Sequence, residues 1–259
     1  MVKIIFLGVG SATPATPGDH VALLACTDAH TILIDAGPTV MAQLGRHGLG
    51  ADDVDTLVIT HTHGDHVLGW PMLLFRQTPL TVIGSSQALE VLKALALLVY
   101  PELAEQLRQW IQLHALEPGD IWSPLDGDFV LCAAMANHDS ASYAYRIDFP
   151  EVRCSLAYSG DTGPSQEVEK LACGCDLLIH EATYLYQHEN MYRHSSARQA
   201  AQVAAAAGCR ALALVHRNRG EPEALELYEA EVRTYFDGMW WLPYAGQVCT
   251  LSTDGLWIA

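Results

Sequence analysis

From Thr60 to His66 the chain reads Thr-His-Thr-His-Gly-Asp-His, so three imidazoles and a carboxylate fall within six positions, directly after the apolar run Leu57-Val58-Ile59. A buried strand that runs into such a cluster delivers its side chains from a rigid edge into a loop. His61 and His63 are two apart and face the same side of an extended segment. Asp65 and His66 follow once Gly64 has turned the chain. Neutral imidazole together with carboxylate suits zinc, manganese or iron rather than calcium or magnesium. A lone histidine is usually a solvated loop residue; a cluster this dense at the end of an apolar run reads as a metal site.

The elements that must position the cluster follow from the apolar runs. Residues 2–7 form a buried-type strand, and 21–26 with 31–35 a hairpin. Pro38 fits the first turn of a helix reaching to about residue 47. Residues 56–60 are the strand that enters the histidine cluster. After it come a short helix at 70–75, a strand at 80–83, a helix capped by Ser85 or Ser86 and an amphipathic helix from Pro101 to about 110. The second half repeats the rhythm with strands at 129–136, 142–149 and 152–158, a helix at 164–172 and a strand at 176–179. An alanine-rich helix at 197–207, capped by Ser195 or Ser196, a strand at 210–215, a helix at 222–234 and strands near 239–242 and 247–251 complete it. This order predicts an α/β chain of two packed sheets with helices outside. With no linker or low-complexity stretch, it is expected to be a single domain, 1–259.

Four of these strands, ending near 60, 136, 158 and 215, run into a histidine or an aspartate: His61, His138, Asp161 and His216. Strand ends that converge on one edge build a site from residues distant in sequence, and a metal would explain all four at once. Taken singly, each has an ordinary alternative: His138 a surface loop residue, Asp161 a turn former beside Gly160, His216 a strand-end histidine.

Composition narrows the reading. Half the residues are apolar and 17% are charged, which excludes a disordered chain or a coiled coil. The N-terminus lacks the basic region and long apolar core of a signal peptide. No apolar run reaches the roughly 20 residues of a membrane span; the longest, 88–100, is interrupted by Glu90 and Lys93. The expectation is a cytoplasmic protein. The seven cysteines are odd in number, scattered and mostly within apolar runs, which fits reduced core residues rather than a disulfide framework. Formal charge is −16 with only three lysines, Lys3, Lys93 and Lys170. A chain that grips nucleic acid by its backbone normally presents a basic face.

Taken together, His61-x-His63-x-Asp65-His66, His138, Asp161 and His216 resemble the dinuclear metal set of the metallo-β-lactamase superfamily. Phe6-Leu7-Gly8-Val9-Gly10-Ser11, Tyr158-Ser159-Gly160-Asp161-Thr162, His180-Glu181-Ala182-Thr183-Tyr184 and His194-Ser195-Ser196-Ala197 are similar, in order, to motifs of its ribonuclease Z group. The resemblance covers nearly the whole chain. It implies a four-layer αβ/βα sandwich of two mixed β-sheets flanked by helices. It implies two divalent metal ions, zinc first and manganese or iron as alternatives. One would be held by His61, His63 and His138, the other by Asp65, His66 and His216, with Asp161 and a hydroxide bridging. Two such cations acidify the bridging water and steady both the attacking and leaving oxygens. Asp65, Glu181 and His194 take catalytic roles, His194 as a general acid oriented by Glu181. Asp35 resembles a carboxylate that orients metal-site residues from behind. His20, His30, His47, His114, His180 and His188 are read as ordinary histidines.

Two departures separate the chain from that group. The group's flexible basic arm, which clamps tRNA, would lie between His138 and Asp161, where only 22 residues intervene and two strands fill them. After His216 the chain reads Arg217-Asn218-Arg219-Gly220 in place of a small polar and aromatic run. With the −16 charge, these disfavour tRNA. Arg193, Arg198, Arg217 and Arg219 lie near His194 and His216 in sequence, and Arg217 and Arg219 are the candidates for contacting an anionic substrate. The expected activity is a metal-dependent phosphodiesterase acting on a small-molecule or short-nucleotide ester. A tRNA 3′-processing endonuclease is the runner-up, and lactone, thioester or sulfate-ester hydrolysis is a third use of the same site. An iron-dependent oxidoreductase and a non-catalytic binding module are the readings from other classes. The apolar segment 85–122 either caps the site or pairs subunits into a homodimer.

Overall fold

Val2, Ile4 and Phe6 of the first strand are buried on one side, and Ile5 and Leu7 on the other. A strand covered on both faces reads as a continuous apolar run rather than an alternating one. In the computed structural model, which describes residues 1–14, 19–139, 141–189, 191–218 and 225–258, this pattern recurs in strand after strand. The strands are β1 (Val2–Gly8), β2 (Ala22–Cys26), β3 (Thr31–Ile34), β4 (Thr56–Val58), β5 (Leu80–Gly84), β6 (Ile111–Ala115), β7 (Ile121–Trp122) and β8 (Val130–Met135). They continue with β9 (Tyr143–Phe149), β10 (Cys154–Tyr158), β11 (Leu177–Glu181), β12 (Ala211–Val215), β13 (Met239–Trp241), β14 (Gln247–Ser252) and β15 (Gly255–Ile258). The helices are α1 (Val40–Arg46), α2 (Gly64–Val67), α3 (Ser86–Val99), α4 (Ala104–Trp110), α5 (Gln166–Leu171), α6 (Ala197–Ala206) and α7 (Leu225–Val232).

One sheet runs β15-β14-β1-β2-β3-β4-β5-β6 and the other β13-β12-β11-β10-β9-β8-β7. Both are mixed. The first is antiparallel from β15 to β3 and parallel from β3 to β6. The second is parallel from β13 to β10 and antiparallel from β10 to β7. Ile4, Phe6, Ile32 and Val58 of the first sheet share one buried cluster with Tyr145, Leu156, Ile179 and Val215 of the second. On the far face of the first sheet, Leu24, Leu33 and Leu57 pack with Val40 and Leu44 of α1 and Leu89 and Leu92 of α3. On the far face of the second, Leu178, Leu212 and Leu214 pack under Ala200, Ala201 and Ala204 of α6. The result is the four-layer α/β sandwich, helix–sheet–sheet–helix, that the resemblance implies.

β6, β7 and β15 lie outside the strands read from the sequence. All three are at or next to a sheet edge, where one side has no partner strand and the residues are largely half-buried or exposed, so their apolar signal is weak. Of the predicted helix at 222–234, residues 222–224 lie outside those described. No described helix is long and apolar enough to cross a membrane.

Candidate metal centre

Every predicted metal ligand sits where a strand ends or a short loop follows it, all at one edge of the sandwich. Directly after β3, Asp35 sits in the left-handed region at φ 59° and turns its carboxylate to accept from Thr60 N at 2.9 Å and from Thr60 Oγ1, beyond β4. That holds the chain straight into His61. α2 is a single turn whose Gly64 start lets His66 N reach His63 O at 3.0 Å, setting Asp65 and His66 on the inward face. Beyond β10, Gly160 adopts φ 56°, and a Cβ there would lie 2.9 Å from Tyr143 O and 3.0 Å from Thr60 Cβ. Only glycine fits, and the turn it permits brings Asp161 to the centre. His216, directly after β12, is also left-handed, at φ 59°. Two buried non-glycine residues in this region mark backbone strain stored at the site.

Ligand atoms from His61, His63, His138 and Asp161 all lie within 4.8 Å of one another, and so do those from Asp65, His66, Asp161 and His216. Asp161 belongs to both groups. Its Oδ2 is 3.6 Å from His61 Nε2 and 4.0 Å from His138 Nε2. Its Oδ1 is 3.4 Å from His66 Nε2 and 3.2 Å from His216 Nε2. His63 turns Nδ1 inward, 3.1 Å from His138 Nε2. On the other side, Asp65 Oδ2 is 3.2 Å from His216 Nε2 and 3.6 Å from His66 Nε2.

The outer ring nitrogens are held from behind. His66 Nδ1 meets Asp35 Oδ2 at 2.8 Å, His61 Nδ1 meets Thr60 Oγ1 at 3.1 Å and His216 Nδ1 meets Thr183 Oγ1 at 2.9 Å. His138 Nδ1 faces the Arg193 carbonyl at 3.3 Å. Such contacts through Nδ1 would leave Nε2 free to face a cation as the inward, lone-pair nitrogen. His63 is the loose member: its side chain is 53% exposed, and its Nε2 is 4.0 Å from Asp139.

Charge at the centre is unbalanced in a telling way. Burial alone would raise the pKa of Asp161, but His216 and His66 hold it well below the usual carboxylate range. Asp65, likewise buried, is held low by His216 and His66. Burial, reinforced by His66, pushes His61 down and keeps it neutral. Burial would also lower His66, yet Asp161 and Asp35 lift it well above the ordinary histidine value. Two buried carboxylates, Asp65 and Asp161, therefore face the centre and call for positive charge there. Meanwhile His61 Nε2, His66 Nε2 and Asp161 Oδ1 are buried without a hydrogen-bond partner. Buried polar atoms are normally satisfied, and these three all point to the centre. The donor set fits divalent cations of the zinc type.

Next to this cluster stands a second constellation, Glu181, His194 and His216. Glu181 Oε1 lies 2.7 Å from His194 Nδ1 and accepts from Thr162 N at 2.9 Å; Oε2 accepts from Thr183 N and from Thr183 Oγ1. Burial would lower the pKa of His194, but the Glu181 carboxylate, aided by Asp161 and Asp65, lifts it to about 9. His194 is held in place from its C-terminal side. Ser195 Oγ donates to Thr162 O at 2.6 Å, and Ser196 forms a capping box with Gln199 at the start of α6. The cleft over both constellations measures about 140 Å³, and its described walls include Thr13, Tyr184 and Asn218 but no arginine or lysine.

The arginines go elsewhere. Arg217 donates to Leu214 O at 2.9 Å and Pro243 O at 3.1 Å, joining β12 to the segment before β14, and is not among the residues that line the cleft. Arg219 lies outside the described residues. Arg193 donates to His138 O, and Arg198 pairs with Glu189 and stacks 4.0 Å over the Tyr186 ring. Thr60 and Thr183 carry no role in the sequence reading; the available signal was a hydroxyl beside His61 and another two residues after Glu181.

Residues 30–217 match the family model described as the beta-lactamase superfamily domain. The ribonuclease Z of Methanothermobacter thermautotrophicus is 28% identical, covering 83% of this chain and 86% of its own length. That alignment spans 271 positions, more than the 259 residues of this chain, so the relative carries segments that this chain lacks. Among solved structures, the metallo-beta-lactamase fold protein YhfI from Bacillus subtilis superposes with a TM-score of 0.81 at 20% identity, over 96% of this chain and 99% of that one. The short form of human tRNase Z gives 0.76 at 22% identity, over 96% and 98%.

Proposed function

The chain belongs to the metallo-β-lactamase superfamily, in its ribonuclease Z-like group, and from that premise we propose that it is a dinuclear metal-dependent phosphodiesterase acting on a small-molecule or short-nucleotide diester. The observation that carries this reading is the Glu181–His194 pair, 2.7 Å apart, beside a carboxylate whose two oxygens face two separate ligand groups. His61, His63 and His138 would hold one cation, Asp65, His66 and His216 the other, and Asp161 both. Bound there, two zinc-type cations would lower the pKa of a water and neutralise charge on the attacking and leaving oxygens.

The rest belongs to the chain itself. His194, lifted to about 9, carries a proton at neutral pH and faces the cleft, so it can protonate a leaving alkoxide. Glu181 keeps that proton on the ring and holds the ring still. Tyr184, whose ring stands edge-on to His194 with centroids 6.1 Å apart, walls off one side of the donor.

The surroundings of the cleft support a small substrate. Between His138 and Asp161, residues are taken up by β9 and β10, which leaves no room for an arm. No described lysine or arginine lines the cleft, and the chain as a whole carries −16. A second reading, a tRNA 3′-processing endonuclease, is favoured by relatives named Ribonuclease Z that match over most of their length. The two separate in one experiment. Binding that neutralises about 6–10 phosphates weakens on the order of 10³–10⁵-fold between 50 and 200 mM salt. We expect measurable hydrolysis of small phosphodiesters and weak, non-saturating binding of precursor tRNA at physiological salt. Tight precursor binding with a steep salt slope, and cleavage at its 3′ end, would replace the first reading by the second.

A further inference from the structure

Thr183 is buried between the two constellations, and its Oγ1 has three polar neighbours: Glu181 Oε2 at 2.7 Å, His216 Nδ1 at 2.9 Å and His194 Nδ1 at 3.2 Å. A hydroxyl has one proton to give and two lone pairs to receive. A carboxylate only accepts, so the Thr183 proton goes to Glu181. His194 Nδ1 lies nearer to Glu181 Oε1, at 2.7 Å, and donates there. The remaining donor for Thr183 is His216 Nδ1–H. As a neutral ring, His216 is thereby set in one tautomer, with its Nε2 lone pair aimed between Asp65 Oδ2 and Asp161 Oδ1, 3.2 Å from each. A lone pair facing two carboxylate oxygens is favourable only with a cation among them.

The other sheet repeats the device. Thr60 Oγ1 lies 3.0 and 2.9 Å from the two oxygens of Asp35 and 3.1 Å from His61 Nδ1. The same proton count sends the Thr60 hydrogen to Asp35 and makes His61 the donor to Thr60, with Nε2 turned inward. Two unrelated stretches of chain thus build the same carboxylate–threonine–histidine relay, one behind each ligand group.

We propose that Thr183 and Thr60 are positioning residues, each presetting the tautomer and direction of one histidine, His216 or His61, for its cation. Thr183 has the further effect of fastening His216 to the carboxylate that orients His194, so the second ligand group and the proton donor share one mount. This rests on the dinuclear reading above. Contacts of this kind behind a metal ligand are worth about 10–100-fold in affinity.

The test is zinc competition against a chromophoric chelator with the full chain, comparing wild type, T183V, T183S and T60V. Valine keeps the shape and removes the hydroxyl; serine keeps the hydroxyl. We expect wild type to take two zinc ions, T183V and T60V each to weaken one of the two by about 10–100-fold, and T183S to bind like wild type. In the zinc-loaded protein, the His216 Nδ1–H resonance should be protected in wild type and T183S and lost in T183V. Should T183V not fold, T183A takes its place in the same comparison. Wild-type affinity at both sites in the hydroxyl-free variant, or a loss in T183S equal to that in T183V, would overturn the role of Thr183. A wild-type chain that takes up no zinc would remove the dinuclear reading and this one with it.

Discussion

The two halves of the site use one device for two ends. In the first sheet, Asp35 is buried at the end of β3 and holds Thr60 and His66; through Thr60 it also holds His61. Both histidines it controls are candidate ligands, one in each group. In the second sheet, Glu181 is buried at the end of β11 and holds Thr183 and His194; through Thr183 it also holds His216. Here one histidine is a candidate ligand and the other is a charged donor facing the cleft. The difference lies in what the carboxylate's direct partner faces. His66 Nε2 looks at Asp161 Oδ1 from 3.4 Å, whereas His194 stacks against His216 with ring centroids 5.4 Å apart and stands beside the cluster. A buried carboxylate plus threonine is a mount, and the neighbour of the mounted ring decides whether it binds a cation or carries a proton.

The largest effect should come from the residue that neither half owns. Asp161 Oδ2 faces one group and Oδ1 the other. Asp161→Ala should therefore empty both sites, whereas His216→Ala should mainly empty the one it shares with Asp65 and His66. Elemental analysis after gel filtration reads this directly. Full occupancy of the Asp161→Ala protein would mean that the halves do not meet at Asp161 at all.

The next effect isolates the donor half. His194→Ala should keep its metals but slow cleavage of esters with poor leaving groups by roughly 10²–10⁴-fold. Nitrophenyl esters, whose leaving group needs no proton, should lose much less. The pH profile carries the sign. The pKa of His194 is raised against burial, chiefly by Glu181, to about 9 with no cation bound; cations at Asp161 and Asp65 would cancel the part those carboxylates supply, so the proton is lost as pH rises through a value below that. Wild-type rates on poor leaving groups should therefore fall on the alkaline side of the His194 titration, a limb that the alanine variant lacks. Equal losses on both substrate types would make His194 a binding residue and the two halves alike in purpose.

Much of this arrangement is legible in the chain itself. Three histidines and an aspartate within six residues, behind an apolar run, declare their chemistry by density, and Asp161 and His216 declare theirs by closing other such runs. The relays do not. A threonine next to a ligand has no spacing signature, because what matters is which way its hydroxyl turns once two strands are paired. Asp35 is picked out as an orienting carboxylate through the family resemblance, whereas its residue type alone reads as a strand-end turn; its left-handed backbone is invisible because even aspartate, several-fold enriched there, adopts that region only in a minority of cases. Arg217 shows the opposite failure: it is one residue from His216, yet its guanidinium leaves toward Leu214 and Pro243. Proximity in sequence fixes a Cα, not the far end of a long side chain. The strands missed were at or near the sheet edges, where the second buried face that makes the others conspicuous is absent.

The smallest of the effects tests whether the two ligand groups are held separately. Asparagine at position 35 keeps the size of the side chain and tolerates the left-handed backbone at φ 59°. Thr60 N–H donates to Oδ1 at 2.9 Å, which obliges the amide to place its oxygen there. Its NH₂ must then take the place of Oδ2, facing His66 Nδ1 across 2.8 Å. An amide N–H cannot accept from Nδ1–H, so His66 is driven to the other tautomer, with its proton on Nε2 and no lone pair for a cation. Thr60 Oγ1, 3.0 Å from Oδ1, can still donate there and keep His61 in place. Asp35→Asn should thus weaken the cation shared by Asp65, His66 and His216 by about 10–100-fold while leaving the one at His61, His63 and His138 at wild-type affinity. Chelator competition resolves the two. A matched loss at both sites would show that Asp35 mounts a single cooperative unit, and that the halves are not separable by their histidines.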